Sequence, residues 1–361
     1  MSTRHFRRAV LTACGLLILA LPAAADYEQT FTFDGNELEV ADMIGAVAVT
    51  RASGNQFTVK VTVRGDDATD EILGFKVKEG SEAYLAVIFP TDEHDDYVYP
   101  ALGRGSKTRI NFNHGHGETS WLKQVFSGGG TIEVRGTGGG LEVWADLEIG
   151  VPEGGSLKML LGVGEISATD VDGDLNLDTH SGRVTADSIK GSLLVDTGSG
   201  AVEVTDITGP VNVDTGSGSV KVRGVKGDKV LVDTGSGSVK VTDVTCRELH
   251  VDTGSGGVKA RGVKADKAKI DTGSGSVVLE LAEMGSGRFI IDTGSGSIEL
   301  ALPDDASARI EADTGSGSVR NKIEDADVRR QERDELLMTV GDGEARVTLD
   351  AGSGSITIRR L

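Results

Sequence analysis

The sequence predicts an all-β protein, a parallel β-helix-like solenoid with about 18–21 residues per coil and right-handed winding. Three observations predict it. The motif Asp-Thr-Gly-Ser-Gly occurs seven times, starting at Asp196, Asp214, Asp233, Asp252, Asp271, Asp292 and Asp313, with variants at Asp178 (His180 in third place) and Asp350 (Ala351 in second place). From Asp178 to Asp313 the motif advances by 18, 18, 19, 19, 19, 21 and 21 residues, and a drifting period near 20 marks a chain in which each repeat is one coil. Between motifs, apolar and polar residues alternate, as where Val220 and Val222 flank Lys221, which is the period of a half-buried strand. These runs are short and glycines separate them, so a coil is two or three short strands stacked on the next coil about 4.8 Å away. Parallel crossovers favour a right-handed winding, and the six-residue period of left-handed hexapeptide helices is absent.

Alternation assigns faces. The residue before each Asp is mostly apolar (Leu177, Val195, Val213, Val232, Val251, Ile270, Ile291) and points inward. The aspartates Asp178, Asp196, Asp214, Asp233, Asp252, Asp271, Asp292, Asp313 and Asp350 then form an outward ladder, and the threonines turn in. The first glycines of the motif, Gly198, Gly216, Gly235, Gly254, Gly273, Gly294 and Gly315, are read as corner residues with positive φ.

Taken in order, residues 1–25 read as a secretory signal: Arg4, Arg7 and Arg8, an apolar run from Ala9 to Leu21, and small residues Ala23, Ala24 and Ala25 for cleavage. Leu11-Thr12-Ala13-Cys14 also fits a lipobox, but most of the apolar run follows Cys14, so cleavage near Ala25 is favoured over lipidation. The mature chain, 26–361, reads as a single solenoid domain. Residues 26–90 are alternating strands, expected as capping coils. Residues 91–130 break the pattern and read as a loop insertion, followed by regular coils over 131–321. Residues 322–340 are a charged insertion, a short helix or an exposed loop, and 341–361 restore a last coil. No transmembrane segment is expected in the mature chain.

Without residues 1–25, which carry three Arg and no acid, 34 basic residues face 56 acidic ones, a net charge of −22. Such a surface argues against nucleic acid and anionic membrane as partners. Cys246 is the one cysteine left in the mature chain, so it forms no internal disulfide. His94, His114 and His116, with nearby acids, are candidate metal ligands, although their spacing matches no specific site. Val-Asp-Thr-Gly-Ser reads like the aspartic peptidase motif, yet that chemistry needs two facing carboxylates, and seven copies at coil spacing form a line instead. A polysaccharide-active β-helix would need one carboxylate set apart as acid and another as base, and equivalent rungs supply no such difference. Loose Ca²⁺ or Mg²⁺ association with the ladder stays open; otherwise no cofactor is expected. Seven residues after consecutive motif aspartates come Lys221, Lys240 and Lys259, a short basic stripe read as charge balance.

The Val-Asp-Thr-Gly-Ser-Gly-Ser-Val coils, the corner Leu147-Glu148-Ile149-Gly150-Val151-Pro152-Glu153-Gly154 and the ending from Gly341 to Ile356 resemble the bacterial putative-adhesin family of β-strand-repeat envelope proteins. That group is of unknown function and is related to the head domain of autotransporter adhesins. The resemblance covers most of residues 30–361. It implies a β-solenoid of the cell envelope and carries no catalytic residues to transfer. The expected function is therefore an exported, non-catalytic binding or structural module in the periplasm or at the bacterial surface, with an envelope polymer or protein as ligand. The rivals are a carbohydrate-active enzyme and an envelope-stress accessory protein.

Overall fold

The computed structural model of the protein describes residues 26–111 and 130–361. The expected signal segment with Cys14, and His114 and His116 of the insertion, lie outside the described residues. The described chain is a parallel β-solenoid. One wall stacks Glu37–Ile44, Gly155–Val163, Gly173–Ser181, Leu193–Ser199, Val211–Ser217, Lys226–Thr234 and Thr245–Thr253 in parallel register. A second wall stacks Val47–Arg51, Ile166–Thr169, Val184–Asp187, Val202–Thr205, Val220–Arg223 and Val239–Thr242. A third edge is held by single bridges joining Asp172, Lys190, Thr208 and Lys226. Alternation fills the interior: Val195, Val213, Val232 and Val251 on one wall, Val204, Val222 and Val241 on another, and Ile189, Ile207, Val225 and Val244 at the third are all buried.

The motif has a stacking role that alternation alone does not reveal. Its threonines are buried, and each later one joins two coils. The Thr234 hydroxyl donates to Gly218 O of the preceding coil (3.2 Å) and accepts from the Gly237 amide of its own (3.0 Å). Thr253, Thr272 and Thr293 repeat both bonds. A buried hydroxyl with donor and acceptor both satisfied contributes about 1 kcal/mol per rung.

The motif glycines are required for a different reason from the one expected. Gly198, Gly216, Gly235, Gly254, Gly273, Gly294 and Gly315 are not in the left-handed region; Gly235 is glycine because a Cβ there would stand 2.5 Å from Gly216 O one coil below. The left-handed corner lies elsewhere, at Asp170, Ser188, Asp206, Gly224, Asp243 and Gly262, with φ between 52° and 68°. Aspartate tolerates that conformation better than most residues, so Asp alternates down the column with Ser188 and then with Gly224 and Gly262.

Three segments depart from simple coils. Residues 26–90 supply one coil (Glu37–Ile44 with Val47–Arg51) and an antiparallel cap, in which Phe57–Arg64 pairs with Tyr27–Phe33 and Trp144–Val151, and Gly74–Lys78 folds back on Ala83–Ile88. The 91–130 region is more than a loop: Asp96–Val98 and Lys107–Asn111 pair with Thr131–Arg135 in a separate three-stranded sheet. This sheet docks on the early coils through Ile110 and through His180 Nε2, 3.2 Å from Arg109 O. Residues 322–340 are neither helix nor loop but a β-hairpin, Asp327–Gln331 with Glu335–Val340, laid antiparallel on Ala308–Thr314.

The chain order and the stacking order part company at the C-terminus. Ala345–Ala351 lies between Arg288–Thr293 and Ala308–Thr314, parallel to both, and Ile356–Arg360 likewise lies between Ile298–Leu302 and Val319–Asn321. The rungs therefore run Asp292, Asp350, Asp313. Arg359 locks the inserted coil to Glu299 (2.7 Å) and Glu280 (2.9 Å), and Arg360 locks it to Asp325 (2.8 Å).

The inserted coil carries Ala351 where its neighbours carry Thr293 and Thr314, so it lacks the hydroxyl staple. Ala351→Thr is expected to restore bonds to Gly296 O and the Gly354 amide and to stabilise the protein by about 1 kcal/mol. A thermal melt checks it; a lower melting temperature would mean that the inserted coil has no room for the side chain.

The other end of this column holds Asp42, in register with Leu161 and so with Thr179. Asp42 is fully buried; Oδ1 accepts the Met43 amide at 2.8 Å, and Oδ2 has no partner. Burial pushes its pKa well above the usual carboxylate range, against the Met43 hydrogen bond, and Asp146 adds to the rise. The folded state then holds a proton that the unfolded chain releases near pH 4, so stability falls as pH rises from there through the raised folded value. Asp42→Asn keeps the acceptor for Met43 and removes that penalty. It is expected to melt higher than the wild type at pH 7, with the gap closing toward pH 4; melts at both pH values check it.

Candidate binding surfaces

Each ladder aspartate follows an inward apolar residue and precedes an inward threonine, so the strand period alone turns it outward. The structure sets Asp178, Asp196, Asp214, Asp233, Asp252, Asp271 and Asp292 on consecutive rungs, then Asp350 and Asp313. Asp178 is buried, Asp214, Asp233, Asp313 and Asp350 are exposed, and the rest are half-buried. Asp292 has its pKa raised by partial burial and then by Asp271 and Asp350 on either side. Neighbouring charges at this spacing repel by about 0.9 kcal/mol at the dielectric of water, less in salt. Adjacent rungs offer the same carboxylate at the same strand position, with exposure that varies from rung to rung.

The antiparallel cap makes a groove of about 680 Å³. Its floor is the outer side of the first wall, where Tyr84, Glu39, Lys158 and Asn176 stand on successive rungs. Its overhang is the fold-back strand with Lys76 and Lys78. Lys158 Nζ lies 3.3 Å from Glu39, and Lys78 pairs with Glu82. Burial, and then Glu39, pushes the Tyr84 phenol up to about 12, so it remains a hydrogen-bond donor at neutral pH. The groove thus combines an aromatic ring, carboxylate acceptors and ammonium donors in a space of ligand size. Sequence reading missed it, because the fold-back of Gly74–Lys78 over Ala83–Ile88 leaves only a weak mark in the pattern.

His94 lines a second hollow of about 360 Å³ with Asp67, Glu93, Asp95 and Asp96. Two of these acids already have partners: Asp67 accepts the Glu142 amide at 2.8 Å, and Asp96 pairs with Arg135 at 3.1 Å. Among the described residues, no three His, Cys, Asp or Glu side chains are placed to hold a metal ion. Beside this hollow, Arg135 and then Arg109 hold the Glu133 carboxyl down to about 2. That cluster fastens Lys107–Asn111 to Thr131–Arg135. Burial pushes the Cys246 thiol up to about 11, with Asp266, Glu248 and Asp228 adding to it, which leaves it protonated at neutral pH.

The described chain holds no helix long and apolar enough to cross a membrane. The model of the family described as Toastrack DUF4097 matches residues 46–359. Among solved structures, a putative cell adhesion protein from Clostridium sporogenes is 12% identical, with 93% of this chain and 100% of that one covered and a TM-score of 0.22. A putative adhesin from Bacteroides fragilis is 12% identical over 94% of this chain and 99% of that one, with a TM-score of 0.32. A putative lipid binding protein from Parabacteroides distasonis is 13% identical over 91% and 96%, with a TM-score of 0.40. No curated protein matches.

Proposed function

Because the chain belongs to the Toastrack DUF4097 family, we propose that it is an exported, non-catalytic β-solenoid that acts as an adhesin-like binding module of the bacterial envelope. Residues 1–25 would direct export, and the mature solenoid would work in the periplasm or at the cell surface. Its ligand would be an envelope polymer or protein, held along the walls and in the groove beside Tyr84. No cofactor is part of this proposal.

The observation that carries the reading is the sameness of the rungs. Acid–base chemistry needs two groups whose environments push them apart. The ladder instead repeats one carboxylate at the same strand position of successive rungs, which suits a repeating contact with an extended ligand. The test is retention of envelope polysaccharide and envelope-protein fractions on the immobilised mature protein. A retained fraction is expected, and Tyr84→Ala should weaken it about fivefold, the scale of one aromatic contact of about 1 kcal/mol, while Tyr84→Phe keeps most of it. If no fraction is retained by the wild type, the reading fails.

A further inference from the structure

The second wall carries a patch that the ladder does not explain. Lys221, Lys240 and Lys259 stand in register on three successive rungs, and two residues along the same strands stand Arg223, Thr242 and Arg261. The five cations are exposed, while Val222, Val241 and Ala260 between them are buried. Rungs are about 4.8 Å apart, and side chains on one strand face about 6.6 Å apart. The Thr242 hydroxyl therefore sits at the centre of a basic frame, between two guanidiniums on neighbouring rungs and beside an ammonium on its own.

Two acids pair with the ends of the frame. Glu203, one rung below, lies 4.0 Å from Lys221. Glu280, one rung above, lies 3.3 Å from Arg261 and is shared with Arg359 at 2.9 Å. Asp206 and Asp243 border the frame at the left-handed corner. Among the described residues, no acid stands within 4.0 Å of Lys240, Lys259 or Arg223.

Like charges directly opposite each other destabilise a sheet. At one position of the first wall the same coils alternate their charges: Glu248 stands between Lys229 and Lys267 and pairs with the latter at 3.0 Å, whereas the ladder aspartates of that wall stack like on like. On the second wall three lysines follow one another with no acid between them, on a protein whose mature charge is −22. Charge balance would be better served by alternation, and an unneutralised frame is what a bound anion would complete.

We propose that this frame is a multivalent anion site for a strand of anionic glycan, bearing carboxylate, sulfate or phosphate groups and lying along the solenoid axis; this deepens the reading of an envelope binding module and rests on it. The patch is a flat strip about 10 Å long over three rungs, which fits a linear chain better than a single small anion. A lipid surface fits poorly. The acidic remainder of the protein would be repelled by anionic headgroups, and among the described residues the exposed large apolar side chains, Val77, Val328, Leu337 and Leu361, all lie on other segments.

Calorimetric titration of the mature protein at low salt tests this, with heparin oligosaccharides and oligogalacturonate as anionic probes and dextran as the neutral one. The anionic probes are expected to bind, more weakly as salt rises, and dextran to give no heat. Lys240→Glu with Lys259→Glu should lower affinity at least about tenfold, whereas Lys229→Glu with Lys269→Glu, the same charge change on the other wall, should change it less than about twofold. Thr242→Val keeps the shape and should lower affinity with an unchanged circular dichroism spectrum. No binding by the wild type, equal losses in the two double variants, or binding of phosphatidylglycerol vesicles in place of the oligosaccharides would each overturn the proposal. Retention of an envelope fraction that survives the Lys240→Glu/Lys259→Glu change would remove the anion site alone. Absence of retention by the wild type would remove the binding reading beneath it.

Discussion

Deleting residues 345–361 is expected to release the C-terminal end of the solenoid while leaving the earlier coils folded. The deleted coil fills the space between two rungs that the chain passes without filling, so its loss leaves Arg288–Thr293 and Ala308–Thr314 about two strand spacings apart, near 9.6 Å. Val347, Leu349, Ile356 and Ile358 are buried within it, and removing four such side chains forfeits about 6–12 kcal/mol of apolar burial. That is the scale of a whole domain's stability. In a solenoid each rung depends on its neighbours, so the loss should stay local: 303–344 becomes protease-sensitive, and the coils before Arg288 keep their protection. Limited proteolysis with hydrogen exchange reads this directly. Unchanged protection of 303–344 in the truncated protein would show that the inserted coil is dispensable.

Gly237→Val is expected to cost about 3–5 kcal/mol, more than any other single change considered. A Cβ at Gly237 would stand 1.6 Å from Gly218 O and 2.4 Å from its carbonyl carbon, both backbone atoms with nowhere to move. The shift that would relieve it breaks the bond between the Gly237 amide and Thr234. Gly257→Ser is the contrast. There a Cβ meets nothing closer than Ser276 O at 3.3 Å, and serine already stands at the equivalent places Ser219 and Ser238. That variant should melt within about 0.5 kcal/mol of the wild type, and denaturant unfolding of the pair tests the stacking account of the motif. Gly235→Val should also destabilise, through its approach to Gly216 O and not through φ.

The period and the alternation made the coils legible because each rung repeats the same physical problem: an inward Val, an outward Asp, an inward Thr. What they left out is contact between rungs. The Thr hydroxyl and the second glycine are a cross-coil pair, and a single coil read alone cannot show that Gly237 faces Gly218 O. Placement of the last coil was hidden for a similar reason. Asp350 follows Asp313 by 37 residues, which reports an interruption but not that the later coil stacks below the earlier one. The hairpin at 327–340 carries many charged residues because it is the exposed end of the stack, with Asp327–Gln331 exposed throughout, and charge at a sheet edge discourages further pairing. One signal was available and passed over. His180 replaces a glycine in the first motif, where the side sheet docks and Arg109 O lies within hydrogen-bonding distance. The groove beside Tyr84 and the arginines flanking the lysine stripe required the register of several strands at once.

The most direct measurement of the central claim is the chain length of whatever polymer the mature protein retains, followed by counting reducing ends during prolonged incubation. A polymer that stays bound and keeps its length is expected, because the ladder sets its carboxylates in a single line and not as a facing acid–base pair. New reducing ends that appear with the wild type and are lost in Asp292→Asn, the substitution of the ladder carboxyl set apart by its raised pKa, would contradict it and make the wall a catalytic surface.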